Sequence, residues 1–319
     1  MSETRSFMAL DWVSEEIEET LKQAISALQA FIKAPEDVTK LRFCMTYLYQ
    51  ISGSLTMIEL NGPAMLAKEI ESLLNRALTE NNKEQQSQQA QVVQQALSDL
   101  LDYLTKARTT RQSNDEELLP VLNALREANQ QEQYSASDVF DPDVSSAQAA
   151  KTRDAKIPSK DFNELIRKIR QRFQQSLIGI VREEKLESHY ALVKKVSQAL
   201  LKASRNTASQ PLWEIAVAIT ESLALKGTAA DAEEKKALQI LDAQIKKLAQ
   251  EGKQALNQTP AKSVIKSLLY QVAVTETVTD AVSQLRERYQ LDLALQKRNN
   301  QNDSLARQAT QRLINALND

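Results

Sequence analysis

Residues 47–60, with the sequence YLYQISGSLTMIEL, place a tyrosine one helical turn before a glycine within an apolar helical pattern. A glycine inside a helix costs about 1 kcal/mol relative to alanine, so Gly53 needs a compensating role. Tyr49 lies four residues earlier and therefore on the same helix face. A glycine on that face leaves a flat spot, where the backbone of another protein can come close. This pair is the first candidate for a functional site.

The face around this pair can be read from the spacing of its residues. Steps of four, three, four and three keep side chains on one side of a helix, beside the apolar seam and not within it. The alternative is that Gly53 only lets helices pack closely inside a bundle and that the face has no function. We predict a protein-binding face that consists of Arg42, Thr46, Tyr49, Gly53 and Thr56, with Gln50 beside them.

The spacing resembles the site of histidine-phosphotransfer (HPt) domains, four-helix bundles whose second helix carries the motif H-x-x-K-G. In that family the histidine carries the phosphoryl group, the lysine supports it and the glycine leaves room for a receiver domain. Here the five positions read Y-Q-I-S-G, so Tyr49 stands at the histidine position and Ser52 at the lysine position. A phenol with a pKa near 10 is a poor nucleophile and lacks the nitrogen that forms a transferable phosphoramidate. The resemblance implies an HPt-like bundle that cannot accept phosphate.

No other residue pattern supplies the missing chemistry. The single histidine, His189, has Val193 where the HPt motif has glycine, so we interpret it as an ordinary helix-start residue. The single cysteine, Cys44, lies on an apolar seam and is predicted to be buried and inert. One histidine and one cysteine give no structural zinc site, and the sequence has no glycine-rich phosphate loop. We predict no enzyme activity, cofactor, metal or small-molecule ligand for these 319 residues.

The composition favours an all-α fold. The chain has only 5 glycines and 7 prolines, and a sheet-rich protein of this length would need more glycines in its turns. Apolar residues recur every three or four positions over most of the sequence. In the sequence NGP at residues 61–63, Gly62 is predicted to close the second helix and Pro63 to start the third. We predict two consecutive up-and-down helical bundles, of which the first is HPt-like.

The domain boundaries follow from where the helical pattern is lost. The first bundle is predicted at residues 1–129 and the second at residues 159–290. Residues 130–158 gather Ser, Asp, Gln and Pro and are predicted to be a linker, which Tyr134, Val139 and Phe140 could pin onto a neighbouring bundle. Residues 291–319 hold a polar break and a C-terminal helix with apolar residues at 305, 309, 313 and 317, predicted as the start of a further module.

Charge and hydropathy restrict the classes of partner. Lys and Arg total 40 and Asp and Glu total 42, and this near-balance argues against nucleic-acid binding. The basic stretch RKIRQR at residues 167–172 is interpreted as a solvated helix face. No segment approaches the roughly 20 apolar residues that span a bilayer, and the first residues lack a signal-peptide core. We predict a cytoplasmic protein without membrane insertion.

Four longer stretches carry a more specific resemblance. ALDWVSEEIEETLKQAISALQAF, LRFCMTYLYQISGSLTMIEL, PLWEIAVAITESLA and VIKSLLYQVA resemble, in the same order, the N-terminal region of ChpA/PilL proteins. These CheA-like hybrid histidine kinases act in the chemosensory, two-component system that controls type IV pili and twitching motility. FimL-type adaptors share this degenerate region and lack the kinase parts. The resemblance implies protein partners such as response regulators and polar landmark or adaptor proteins, and the cell pole as a candidate position.

Two functional hypotheses follow. The first is a non-catalytic regulatory and protein-interaction region of such a chemosensory kinase, which cannot accept phosphate because Tyr49 replaces the histidine. The alternative is a stand-alone helical adaptor or scaffold without any connection to a phosphorelay. The final helix has no partner hairpin after it, and this favours a piece of a larger kinase.

Overall fold

The computed structural model describes residues 2–79, 82–144 and 159–295. These residues form α-helices and short 3-10 helices, and no strand occurs among them, so the all-α prediction is confirmed. Residues 145–158 of the predicted linker and residues 296–319 of the predicted C-terminal segment lie outside the described residues. The chain divides into two compact units, Met1–Val139 and Phe140–Asp319. The boundary between them falls inside the segment that we predicted as a linker.

The N-terminal unit is a ring of four long helices. In this ring α1 packs against α2, α2 against α3, α3 against α4, and α4 against α1, while α5 packs on α3 and α4. Short connections between neighbouring helices give the up-and-down arrangement expected for such a bundle. The helices are α1 (Ser2–Lys33), α2 (Val38–Met57), α3 (Asn61–Thr79), α4 (Lys83–Thr110), α5 (Leu119–Ala128) and α6 (Ala136–Val139), with a 3-10 helix at Asp115–Leu118.

The core of this unit is the apolar seam that the sequence shows on each helix. The sequence predicts an apolar seam on α2 that consists of Leu41, Cys44, Leu48, Ile51, Leu55 and Ile58. All of these are buried except Ile58, which is half-buried at the C-cap of the helix. Cys44 lies in this seam with no exposed surface, and burial raises the pKa of its thiol to about 12. The thiol is therefore protonated and inert, as predicted. Asp37 caps the N-terminus of α2 by accepting a hydrogen bond from the Thr39 amide.

The connection between α2 and α3 differs from the prediction for Gly62. The left-handed residue that ends the turn is Glu59, with φ of 61°, and Gly62 already lies in the first turn of α3. Gly62 is required for another reason, because a Cβ there would clash with the carboxyl group of Asp115. The Gly62 N–H donates to Asp115 Oδ2 at 2.9 Å, and the Tyr103 hydroxyl donates to Asp115 Oδ1 at 2.9 Å. One carboxylate thus ties the start of α3 to α4.

Two tyrosines make the stability of this unit sensitive to alkaline pH. Burial, followed by the charge of Asp115, raises the pKa of Tyr103 well above its ordinary value. Burial, followed by the hydrogen bond to Glu69, raises the pKa of Tyr134 to about 12. The unfolded chain loses both phenol protons near pH 10, before the folded chain does, so high pH favours unfolding. We expect the unfolding free energy to be unaffected by these groups below about pH 9 and to fall as pH rises above about 10.

Urea unfolding followed by far-UV circular dichroism from about pH 8 to pH 11 measures this decrease. Tyr103→Phe combined with Tyr134→Phe should reduce the alkaline slope, and the buried Cys44 thiol, whose pKa is also raised, contributes to the slope that remains. A slope that stays the same in this double variant would show that other groups govern it.

The first part of the predicted linker packs onto the N-terminal unit. Asn123 on α5 holds the Tyr134 backbone on both sides, because its amide donates to Tyr134 O at 3.0 Å and accepts from Tyr134 N at 2.7 Å. The Tyr134 ring lies 4.0 Å from the Arg126 guanidinium carbon, and its hydroxyl donates to Glu69 at 2.6 Å. Val139 is buried in the same core. Polar contacts therefore order a segment that has no helical periodicity.

The C-terminal unit is a second helical assembly. Here α7 packs against α8 and α10, α9 against α8, α11 and α12, and α10 against α11. Within this unit the Phe140 ring meets the Tyr270 ring edge-on at 5.4 Å, and Lys266 pairs with Asp141. Its helices are α7 (Ser159–Val181), α8 (Leu186–Ala203), α9 (Gln210–Lys226), α10 (Ala232–Glu251), α11 (Lys262–Val274) and α12 (Asp280–Arg288), with a 3-10 helix at Gly252–Asn257.

A tryptophan, a charged capping network and the single histidine each have a packing role in this unit. The central helix α9 carries Trp213, which is only 1% exposed. Asp231 forms a capping box with Glu234 at the start of α10, and Lys226 pairs with Glu234 at 2.8 Å. His189 lies in the first turn of α8, as predicted, and its ring occupies the space where Gly179 has no side chain. This histidine therefore has a packing role between α7 and α8.

Candidate protein-interaction face on helix α2

All six residues predicted as a protein-binding face are exposed on one side of α2. The phenol ring of Tyr49 is 71% exposed, so it does not lie in the core of the bundle. The structure thus brings the predicted residues together on one surface. We call this surface, with two further residues described below, the α2 face: Arg42, Phe43, Thr46, Tyr49, Gln50, Gly53, Thr56 and Met57.

Gly53 lies at the middle of the α2 face and faces open space. A Cβ built at this position would meet no atom within 4 Å. The alternative in which Gly53 permits close helix packing inside the bundle is therefore wrong. Tyr49 and Met57 stand one turn before and one turn after it, and residues at this spacing line up along a helix. The glycine consequently makes a shallow step between two large exposed side chains.

Two exposed apolar residues of this face were missed from sequence. Phe43 is about half exposed, and Met57 is 81% exposed. Phe43, Gln50 and Met57 are seven residues apart, which places them in a second row on the side of the helix away from the seam. That spacing of seven was the signal in the sequence. With Tyr49 these side chains give the face an apolar character that its predicted members alone did not suggest.

The hydroxyl groups on this face are partly used within the helix itself. Thr46 Oγ1 donates to the Arg42 carbonyl at 3.0 Å, and Thr56 Oγ1 donates to the Ser52 carbonyl at 2.7 Å. Threonine hydroxyls commonly bond to the carbonyl one turn back in this way. The donors that remain available to a partner are therefore the Arg42 guanidinium, the Tyr49 phenol and the Gln50 amide.

Ser52, which stands where HPt domains have a lysine, is buried in this chain. Ser52 is 5% exposed and lies beside the core seam, so its side chain does not reach the α2 face. A lysine here would have to extend from a buried position to support a phosphoryl group near residue 49. The face therefore holds neither an imidazole nor a neighbouring ammonium group.

The described residues also bear on the predictions about membranes and metal ions. No helix within them is long and apolar enough to cross a membrane. Within the same residues, no group of three or more His, Cys, Asp or Glu side chains is placed to hold a metal ion.

The two family models that match this chain, one over each unit, are both described by the name of a scaffold protein. Residues 158–303 match the family described as FimL scaffold protein second domain. Residues 6–124 match the family described as FimL C-terminal domain. No solved structure matches the chain. The α2 face lies within the second of these matched regions.

A curated relative of this chain carries the same name as the two family models. Scaffold protein FimL of Pseudomonas aeruginosa is 28% identical over 284 residues, which cover 88% of this chain and 49% of that protein. The chain thus spans about half the length of the curated relative that it matches. This chain is therefore similar to FimL-type scaffold proteins. The similarity favours the adaptor or scaffold alternative over the region of a histidine kinase.

Proposed function

We propose that this chain is a scaffold in the chemosensory regulation of type IV pili and that it binds a protein partner through the α2 face. The observation that carries the proposal is the open space at Gly53 between two exposed large side chains. Large exposed side chains that cluster on a monomer mark interaction sites. Tyrosine and arginine, both present on this face, are enriched among the residues that dominate binding energy.

The similarity to a scaffold protein supports a role in assembly over a role in catalysis. A scaffold acts by holding partners together, which needs exposed docking faces and no reactive group. The α2 face keeps the HPt-like spacing of a large side chain and a glycine but has a phenol in place of the imidazole. We therefore infer a degenerate HPt-like unit that binds a receiver-type partner without exchanging phosphate.

Label transfer tests the absence of phosphoryl chemistry. A receiver domain that carries a radioactive phosphoryl group should transfer no acid-labile label to this chain. The same receiver should label an authentic HPt domain, which serves as the positive control. Any acid-labile label on the wild-type chain would contradict the proposal.

Gly53→Arg should weaken partner binding at least tenfold without destabilising the fold. The new side chain would fill the step between Tyr49 and Met57 and keep a partner's backbone away. The helix itself should gain up to about 1 kcal/mol, because glycine is a poor helix former and the position is open. Binding is measured by titrating receiver domains of response regulators from the pilus chemosensory system onto the full chain.

The matched control is Gln91→Arg, which adds the same side chain at an exposed position of α4. It should leave binding unchanged and so separate the effect of position from that of charge. Equal binding by wild type and Gly53→Arg would rule out the α2 face as the docking site. A partner that binds this chain through another surface would then support a scaffold without a phosphorelay connection.

The partner class and the position in the cell are part of the proposal. The resemblance of the sequence to pilus chemosensory proteins suggests response regulators and polar landmark or adaptor proteins as partners. It also suggests the cytoplasm, with the cell pole as the site of assembly. Capture of such proteins by wild type but not by Gly53→Arg, from cells that carry type IV pili, tests this part.

A further inference from the structure

Helix α1 presents a second exposed apolar surface, on a different helix from the α2 face. Trp12 is 90% exposed, and Met8, one turn before it, is more than half exposed. The core residues of α1, such as Leu10 and Leu21, point to the opposite side of the helix. A tryptophan is highly buried on average in folded proteins, and it is the residue type most enriched at binding hot spots. Full exposure of Trp12 therefore indicates a surface that another molecule covers.

Three carboxylates continue the same side of α1 beyond the tryptophan. Glu15, Glu16 and Glu19 are all exposed. They lie three, four and seven residues after Trp12, which keeps them on its side of the helix. The surface thus has an apolar end and an acidic end.

The acidic end is not neutralised within the described part of the chain. Arg108 on α4 and Arg111, the residue that caps the C-terminus of α4, pair with the acidic groups on the other flank of α1. Arg111 lies 2.6 Å from Asp11, and Arg108 lies 3.7 Å from Asp11 and 3.5 Å from Glu18. The exposed glutamates have no ion pair among the described residues, including with Lys22 on the next turn, and Glu19 only accepts a hydrogen bond from Gln23.

We propose that this surface binds a basic amphipathic helix of a partner protein. We call it the α1 face, made of Met8, Trp12, Glu15, Glu16 and Glu19. Apolar side chains of the partner helix cover Trp12 and Met8, and its Lys or Arg side chains face the three carboxylates. A helix fits because its side chains repeat at the same spacing as those on the α1 face. An anionic membrane or a nucleic acid would be repelled by the uncompensated negative charge.

The two tryptophans of the chain make the binding visible in fluorescence. Trp213 is already buried, so a shift of emission to shorter wavelength reports that Trp12 has been covered. The probe is a synthetic helical peptide with leucines along one side at one end and lysines along the same side at the other. Its matched control has glutamate in place of every lysine. The chain should bind the lysine peptide at least tenfold more tightly, and the difference should shrink at high salt, which screens exposed charges.

Variants of the α1 face complete the test. Trp12→Ala should weaken binding of the lysine peptide at least tenfold, and Glu15→Lys with Glu19→Lys should reverse the preference between the peptides. Gln29→Lys, an exposed position three turns away on α1, is the control and should change neither. Because all these side chains are exposed, circular dichroism should show an unaltered fold.

Three outcomes would overturn the proposal. The first is equal affinity for both peptides. The second is a fluorescence shift that grows with protein concentration in the absence of peptide, which would make a second copy of this chain the occupant. The third is a shift caused by phosphatidylglycerol vesicles, which would make the α1 face a membrane-binding surface.

Discussion

Replacement of Glu69 by alanine is expected to lower the unfolding free energy of the N-terminal unit by about 3 kcal/mol. Glu69 on α3 is nearly buried and accepts from Arg126 at 3.0 Å and from the Tyr134 hydroxyl at 2.6 Å. Arg126 is itself mostly covered, since it also stacks on the Tyr134 ring and donates to the Glu132 carbonyl. Without the carboxylate, a nearly buried guanidinium loses its counter-charge, which is the most costly way to break such a pair.

The measurement is urea unfolding of the full chain, followed by far-UV circular dichroism and by tryptophan fluorescence. Trp213 is the buried tryptophan and belongs to the C-terminal unit, so its transition should stay in place while the dichroism transition of the N-terminal unit shifts. Glu69→Gln keeps a hydrogen-bond acceptor and should cost less, about 1 kcal/mol. Lys68→Ala, at the exposed neighbouring position, should cost less than about 0.5 kcal/mol. Equal losses for Glu69→Ala and Lys68→Ala would contradict the role of this network.

Gly62→Ala is expected to destabilise the same unit by about 2–3 kcal/mol. The added methyl group would occupy the space of the Asp115 carboxyl group. Asp115 would have to move and give up its hydrogen bonds to the Gly62 N–H and the Tyr103 hydroxyl. Hydrogen bonds to a charged group contribute about 1.5–3 kcal/mol, so their loss outweighs the gain in helix propensity.

The chain contains its own matched control for this substitution. Gly53→Ala places the same methyl group in a helix where it meets nothing within 4 Å. This variant should be more stable than wild type by about 0.5–1 kcal/mol. Opposite signs for the two glycine variants, measured by urea unfolding, confirm the contrast between a closed and an open position. A loss of stability in both would mean that Gly53 is in contact with another part of the chain.

The helices could be predicted from the sequence because the buried side of each helix repeats at a short, regular spacing within that helix. Apolar residues at steps of three and four identify the seam of α2, and all but one of its members are buried. The role of Gly62 could not be predicted in the same way. Its partner Asp115 is 53 residues away, and periodicity within one helix carries no information about a carboxylate on another. The sequence pattern therefore predicts Gly62 at the end of the helix, whereas Glu59 is the residue that takes the left-handed conformation.

The segment around Tyr134 has no apolar periodicity, and it is nevertheless held in place by other parts of the chain. Its polar composition predicted a linker, yet Tyr134 is held by Asn123, Arg126 and Glu69. Each of these contacts depends on the geometry of a hydrogen bond or a ring, and none repeats along the chain. Composition identifies segments that lack an apolar seam, but a few buried polar contacts can still order such a segment.

The position of the candidate site was predicted from the sequence, but its apolar side chains and the burial of its neighbour Ser52 were not. The spacing around Tyr49 and Gly53 placed the exposed side of α2 correctly, because helix geometry decides which residues share a face. Phe43 and Met57 are apolar like core residues, and only their spacing of seven residues from Gln50, on the side away from the seam, distinguishes them in the sequence. Likewise, the burial of Ser52 depends on how α2 is rotated against its neighbours.

The burial of Cys44 has a consequence for how this chain meets oxidants. The thiolate is the species that attacks peroxides and disulfide reagents, and a thiol with a pKa of about 12 supplies almost none at neutral pH. As the only cysteine of the 319 residues, it offers no partner for an internal cross-link. The fold of the N-terminal unit should therefore be indifferent to redox conditions. A cysteine introduced at an exposed position would be the single reactive thiol, so a spectroscopic label could be attached to either helix face without altering the native residue.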